Sequence, residues 1–352
     1  MGKYCIVENG LLEQHAGSKA RCDVAQILLH HGWIPFYVKP LKVRYNVSYL
    51  ERIRVIPNFL AEWRNISKRL EKDDTLLIQY PLDMYPKVAM TAMKYLYKIK
   101  KKGAKIGIII HDIDSLRMEN EDERKWYSQA ECKFFSTADW IIAHNPVMVD
   151  YLRKEGFQMP IYSLGIFDYL EKGKIEAMED NYQENIVTIA GNLSKEKAGY
   201  IYKISENAVR YNLYGPNLEE KELGKNIEYK GSFQPDVLPK VLNGKFGLVW
   251  DGDSIDKCAG QYGEYMRYNN PHKTSLYLAC GIPVVVWNKA AIADFIEKNR
   301  IGITVESLNE MSDIIENMSD GQYKELKKNA VIMGDRLREG QMLSRVLEKL
   351  DI

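Results

Sequence analysis

The amino-acid sequence predicts an α/β protein of two Rossmann-like domains, each built on a parallel sheet, facing one another across a cleft. Three observations predict it. The chain has 352 residues, more than one hydrophobic core ordinarily organises at roughly 150 residues per domain. Short apolar runs alternate with longer stretches of helical period from the first residues onward, the mark of βαβ units. Each apolar run stops at a Gly, Asp, Asn or His, and binding groups collect at such carboxyl ends in open α/β sheets.

The first series of strands is expected at Tyr4 to Val7, Ile34 to Val38, Thr75 to Gln79, Ile106 to Ile110, Trp140 to Ala143 and Ile161 to Tyr162. Helical patterns lie between them, near residues 17 to 31, 58 to 71, 85 to 101, 119 to 136 and 146 to 154. The second series has strands at Ile186 to Ala190, Tyr211 to Tyr214, Ile227 to Tyr229, Phe246 to Trp250, Ile282 to Trp287 and Ile301 to Val305. Its helices are expected near 235 to 243, 272 to 280, 290 to 298 and 307 to 317. The polar stretch 168–185 lacks an apolar period and reads as a linker. The domains are therefore 1–167 and 186–322, joined by that linker, with a helical segment at 323–352 packing back across both.

Composition narrows the function classes. Hydrophobic residues make up 45% and charged residues 28%, as in a globular protein with large cores. Lys and Arg number 49 against 48 Asp and Glu, so no long-range field favours nucleic acid, and any anion must be held locally. Docking on a membrane through local basic or apolar patches is compatible with that balance. Five cysteines without metal-ligand spacing read as reduced thiols. The apolar run at Lys3 to Glu8 is too short for a signal peptide and no run approaches the roughly 20 residues of a membrane span. The expected location is the cytoplasm.

The stretch from Asn269 to Val286 is the most informative. It reads as loop, helix, glycine stop and buried strand. Pro271 suits a helix start. The backbone N–H groups of the first turn, with Lys273 and the hydroxyls of Thr274 and Ser275, form a local anion site that a diphosphate fits. Gly281 ends the helix and Pro283 starts the next strand. The plain alternative is an ordinary crossover whose polar first turn is only capped.

This segment resembles the Pro-x-Lys, Tyr-Leu-Ala, Gly-x-Pro-Val-Val signature of the C-terminal domain of GT-B glycosyltransferases. Val187 to Leu193, Leu213-Tyr214-Gly215-Pro216 and Phe246 to Gly252 resemble the other strand ends of that domain. With Asn9-Gly10, Ala16 to Ala20 and His111-Asp112-Ile113-Asp114, the whole chain is similar to the bacterial glucosyltransferase 3-like and galactofuranosyltransferase-like family. The resemblance implies a UDP-sugar donor as substrate with no cofactor and no metal, a glycan acceptor on protein or lipid, and often a homo-oligomer. One departure stands out. Many retaining GT-B enzymes carry a pair of Glu residues whose places here are Tyr268 and Leu276, so retention has no support and ribose falls to Asp251, Asn270 or Ser275.

Asn192 and Lys195 follow the first strand of the second series, where an amide and a cation meet diphosphate or base; surface solvation is the alternative. Tyr214 closes the next strand. The segment Cys258 to Asn270 holds Tyr262, Tyr265, Tyr268 and Arg267, and as a loop it closes over a donor, rings stacking and Arg267 neutralising phosphate. His111 and Asp112 emerge at a strand's carboxyl end, where an inverting transfer needs a base; a capping role is the alternative. Gly17 and Ser18 open the first long helix, where backbone approaches phosphate or Ser18 simply caps. No His spacing suggests a metal. Two other classes compete: a non-catalytic nucleotide-sugar-binding partner subunit, and a GT-B-fold UDP-sugar epimerase. A dehydrogenase is disfavoured because Glu8 to Leu12 carries no GxGxxG.

Overall fold

The computed structural model describes residues 1–8, 16–39, 49–82, 86–171, 184–219 and 223–350. The Asn9-Gly10 pair and most of the linker expected at 168–185 lie outside them. The chain divides into two compact units, Met1–Glu13 with Arg21–Leu164 and Val346–Ile352, and Gln14–Ala20 with Gly165–Arg345.

The first unit contains β1 (Lys3–Glu8), α1 (Ala16–His30, its first turn counted with the second unit), β2 (Ile34–Val38), α2 (Tyr49–Arg69), β3 (Thr75–Tyr80) and α3 (Pro86–Lys101). It continues through β4 (Lys105–Ile110), a 3-10 turn at Asp114–Arg117, α4 (Glu121–Phe135), β5 (Trp140–Ala143), α5 (Pro146–Lys154) and β6 (Ile161–Ser163). All six strands are parallel, in the order β2-β1-β3-β4-β5-β6. Central strands covered on both faces read as unbroken apolar runs, and Leu76, Leu77 and Ile78 of β3 and Ile106, Ile108, Ile109 and Ile110 of β4 are fully buried.

Helix α2 begins earlier than the expected 58 and runs through Pro57. An internal proline costs about 3 kcal/mol, which is why a sequence reading starts the helix after it. Burial of Phe59, Trp63, Ile66 and Leu70 along the following turns offsets that cost, at about 1.5–3 kcal/mol per large apolar side chain.

The second unit carries β7 (Ile186–Ala190), α6 (Lys195–Ala198), β8 (Arg210–Tyr214), β9 (Ile227–Gly231), α7 (Leu238–Val241), β10 (Phe246–Val249), α8 (Gly260–Tyr265) and α9 (His272–Ala279). Then come β11 (Val284–Trp287), α10 (Ala293–Asn299), β12 (Gly302–Val305), α11 (Leu308–Asn317), α12 (Asp320–Arg338) and α13 (Gln341–Lys349, its residues from Val346 on counted with the first unit). Its parallel sheet has the order β12-β11-β10-β7-β8-β9. The chain runs outward one way from β7 through β8 to β9, and then the other way from β10, so β7 and β10 flank a topological switch point. Ligands of open α/β sheets bind outside the carboxyl ends of such a strand pair.

The terminal helical stretch, expected as one run from 323, is two helices. Ser319 and Gln322 form a capping box at the start of α12, and Gly340, at φ 72°, separates α12 from α13. All five cysteines are free; Cys5, Cys258 and Cys280 are buried and Cys22 and Cys132 half-buried. Among the described residues no helix is long and apolar enough to cross a membrane.

Candidate active site

At the switch point of the second sheet, β10 runs into Trp250, Asp251 and Gly252. Gly252 has φ 112°, and a Cβ there would lie 2.2 Å from the Ala259 carbonyl. Only glycine lets the chain turn back so closely. The turn is laced to α6 by Gly252 N–H donating to Lys197 O at 2.8 Å, and to the 3-10 turn after it, Gly199–Lys203, by Tyr200 N–H donating to Gly252 O at 3.2 Å.

Lys273, in the first turn of α9, is largely enclosed, with its side chain 15% exposed against 8% for Asp251. Its Nζ donates to Trp250 O at 2.7 Å and to Asp251 Oδ1 at 2.7 Å. The other oxygen of Asp251 lies 3.9 Å from Lys197 Nζ, which sits 5.1 Å above the Tyr262 ring of α8. Two ammonium groups thus flank one carboxylate, leaving a net positive charge beside a helix N-terminus that no side chain caps. Oriented cations on a rigid frame suit an anion with several oxygens.

Packing fixes α9. Gly247 of β10 lies so close to Tyr277 that a Cβ would be 2.2 Å from its ring. The fully buried Tyr277 accepts a hydrogen bond from Ala190 N–H of β7 at 2.6 Å. The helix is thereby tied to both strands of the switch point.

The predicted residues divide. Lys273, Asp251 and the first turn of α9 come together. Thr274 and Ser275 are buried in that turn; Ser275 Oγ donates to Phe167 O at 2.7 Å, and the Thr274 hydroxyl has no hydrogen-bond partner among the described residues. Asn270 is buried and donates to Gly165 O at 2.8 Å. The donors of Asn270 and Ser275 therefore hold the 165–167 segment. Asn192 is exposed and its Oδ1 accepts from Ser194 N–H and from Asn217, both at 3.0 Å, which folds the turn after β7. Lys195 is exposed, while Lys197, two residues on, reaches Asp251. Tyr214 and Tyr265 are buried; burial pushes the Tyr214 phenol up. Arg267 pairs with Glu264 at 2.8 Å and stacks 4.5 Å above the Trp287 ring. The expected 258–270 loop contains α8, whose Tyr262 faces the Lys197 ammonium.

Gly17 and Ser18 fall in the first turn of α1, and Ser18 is buried. Their neighbour Lys19 donates to Leu170 O at 2.6 Å and lies 4.7 Å over the Tyr169 ring, which is 5.2 Å from His272. Burial, reinforced by the Lys19 charge, holds the His272 imidazole down at about 4, so it is neutral at pH 7. Sequence reading missed Lys197, Lys19 and His272. Two lysines in a one-turn helix cannot be told apart without its phase, and the Lys19-Tyr169-His272 stack joins residues far apart in the chain.

In the first unit, His111 and Asp112 follow β4. Asp112 pairs with Arg117 at 3.0 Å, and His111 Nε2 lies 2.7 Å from Gln79 Oε1. Next to them Asp114 is pushed up to about 6 by burial and the Asp112 charge, against the pull of Arg117 and Arg21.

Family models agree with this architecture. Residues 3–166 match the "Glucosyltransferase 3-like, N-terminal domain" and residues 187–350 the "Glucosyltransferase 3-like, C-terminal domain". The chain belongs to the glucosyltransferase 3-like family. It is 38% identical over 349 residues to the β-1,6-galactofuranosyltransferase WbbI of Escherichia coli (strain K12), covering 99% of this chain and 98% of that relative. It is 27% identical to Glucosyltransferase 3 of Streptococcus gordonii over 72% of each chain. A sucrose-phosphate synthase from Thermosynechococcus elongatus superposes with a TM-score of 0.63 at 12% identity, covering 99% of both chains. This glucosyltransferase 3-like protein has the GT-B fold and is a glycosyltransferase.

Proposed function

We propose that this enzyme transfers a hexosyl group from a UDP-sugar to a hydroxyl of a glycan carried on a protein or lipid, without a bound metal. The observation that carries the reading is the Lys273-Asp251-Lys197 cluster at the switch point of the second sheet. In the reaction the acceptor oxygen forms a bond to the anomeric carbon as the bond from that carbon to the diphosphate oxygen breaks. The electron pair and the developing charge leave with UDP, and the acceptor proton passes to a base. Lys273, Lys197 and the N–H groups at the start of α9 are aimed where that charge grows, which lowers the barrier by preorganised electrostatics. Asp251 keeps the two ammonium groups in place beforehand. Tyr268 and Leu276 stand where many retaining GT-B enzymes carry Glu, so retention has no support from those positions; if the transfer inverts, His111 or Asp112 of the first unit is the base. The galactofuranosyl group in the name of the E. coli relative makes UDP-activated galactofuranose the first donor to try.

The test is ligand-induced thermal stabilisation across nucleotides and nucleotide-sugars, followed by transfer assays on glycan acceptors. UDP or a UDP-sugar should raise the melting temperature selectively, and the rise should vanish in Lys273→Ala, shrink in Lys197→Ala and survive in Lys195→Ala. Stabilisation by no nucleotide, or by nicotinamide dinucleotides alone, sinks the reading. Formation of an altered UDP-sugar without acceptor would make the enzyme an epimerase instead.

A further inference from the structure

Gln79 lies near the end of β3 with 5% of its surface exposed, and its amide bridges two elements. Its Nε2 donates to the backbone oxygen of Arg21 in α1 at 3.3 Å, and its Oε1 lies 2.7 Å from His111 Nε2. The two ends of an amide look alike, but only nitrogen donates, and a carbonyl oxygen of Arg21 accepts only from a donor. The oxygen end must therefore face His111. Because that oxygen only accepts, His111 Nε2 must carry a hydrogen, and in the neutral ring the lone pair belongs to Nδ1.

The rest of the surroundings hold the same arrangement. The His111 backbone N–H donates to Tyr80 O at 2.7 Å, and the His111 backbone carbonyl accepts from His144. His144 is fully buried, which holds it down at about 4 and keeps it a neutral donor near pH 7. Arg21, whose carbonyl orients Gln79, is itself fixed: its guanidinium reaches Glu8 at 3.3 Å, Gln79 O at 3.5 Å and Pro81 O. Neighbours on β3 and the residue after β5 thus fix the backbone of His111, and Gln79, held by α1, faces its ring.

We propose that Gln79 is a positioning residue that keeps His111 in the Nε2–H tautomer, so that any proton taken from a substrate hydroxyl arrives at Nδ1. The catalytic half of this statement rests on the reading of His111 as the base; the tautomer does not. Among the described residues, Glu8, Arg21, Tyr80, Asp112, Asp114, Arg117, Glu131 and His144 are charged or titratable groups of the elements packed here, and substitution of Gln79 leaves all of them in place.

Nitrogen-15 NMR of histidine-labelled protein reports the tautomer directly, and with six histidines the His111 signal is assigned by its loss in His111→Gln. The native protein should show Nε2–H. Gln79→Glu, which sets a carboxylate against that N–H, should raise the His111 titration by about one unit or more, and the acid limb of the kcat/KM profile should follow it upward. Gln79→Leu should mix the tautomers and lower kcat about tenfold with KM changed less than about threefold; circular dichroism confirms that each variant is folded. A native Nδ1–H tautomer, or a titration unmoved in Gln79→Glu, overturns the positioning role. A titration that moves while the kcat/KM profile stays put leaves Gln79 as the holder of the ring and overturns His111 as the base.

Discussion

Glu131 shows what a single buried charge does in this protein. It lies on α4 with 4% exposure, and its Oε1 accepts from Ser115 N–H at 3.1 Å and from the Tyr80 hydroxyl at 3.4 Å. Burial pushes its carboxyl from 4.5 up to about 7, with the Ser115 hydrogen bonds pulling the other way. Between those values the folded protein binds a proton that the unfolded chain has released. Stability contributed by this group is therefore present below pH 4.5 and lost as pH rises through 7, by on the order of 3 kcal/mol. The substitution Glu131→Gln keeps an acceptor for Ser115 and removes the charge. In urea unfolding, this variant should match the native protein at about pH 4 and exceed it by roughly 2–3 kcal/mol at pH 8. The opposite contribution of His144, held down at about 4, is common to both proteins and cancels in the comparison. Equal stability at pH 8 would mean that the carboxylate is solvated.

At the scale of elements, the start of α13 depends on a residue from the far end of the second unit. The buried Asp168 carboxylate accepts from Met342 N–H at 2.9 Å and Leu343 N–H at 2.8 Å, satisfying two donors at the helix N-terminus and complementing its dipole. Asp168→Ala should cost about 1.5–3 kcal/mol, while Asp168→Asn, retaining one acceptor, should cost less; chemical denaturation measures both. Equal losses would show that packing, not capping, holds the helix. Strands were the legible elements of this fold. Ile106 to Ile110 and Val284 to Val286 are unbroken apolar runs because both faces of a central parallel strand are covered. The helices α6 and α8 were not, since four to six residues carry no readable period. Lys273 could be found because proline, lysine and a following Gly-Ile-Pro stop mark a helix start in the sequence itself. Lys197 and the Lys19-Tyr169-His272 stack could not, because their neighbours are set by tertiary packing, and Asn270 and Ser275 turned out to spend their donors on backbone carbonyls.

At the scale of the whole molecule, strand order decides where chemistry sits, and no local pattern encodes it. Two series of six strands were readable along the chain, yet only the pairing of β7 with both β8 and β10 makes the ends of β7 and β10 a switch point, and the first sheet has a different order. A ligand bound at that point should stabilise the unit that contains it. At one hundred times its Kd, a nucleotide adds about 2.7 kcal/mol to the folded state. Amides whose exchange requires opening of the bound unit gain protection in proportion, while those that open within the first unit do so at their unliganded cost. Hydrogen exchange with UDP should therefore slow at residues 191–200, 250–263 and 270–276, and leave β3 and β4 unchanged. Protection confined to the residues after β4 would place the nucleotide in the first unit and remove Lys273 from its binding.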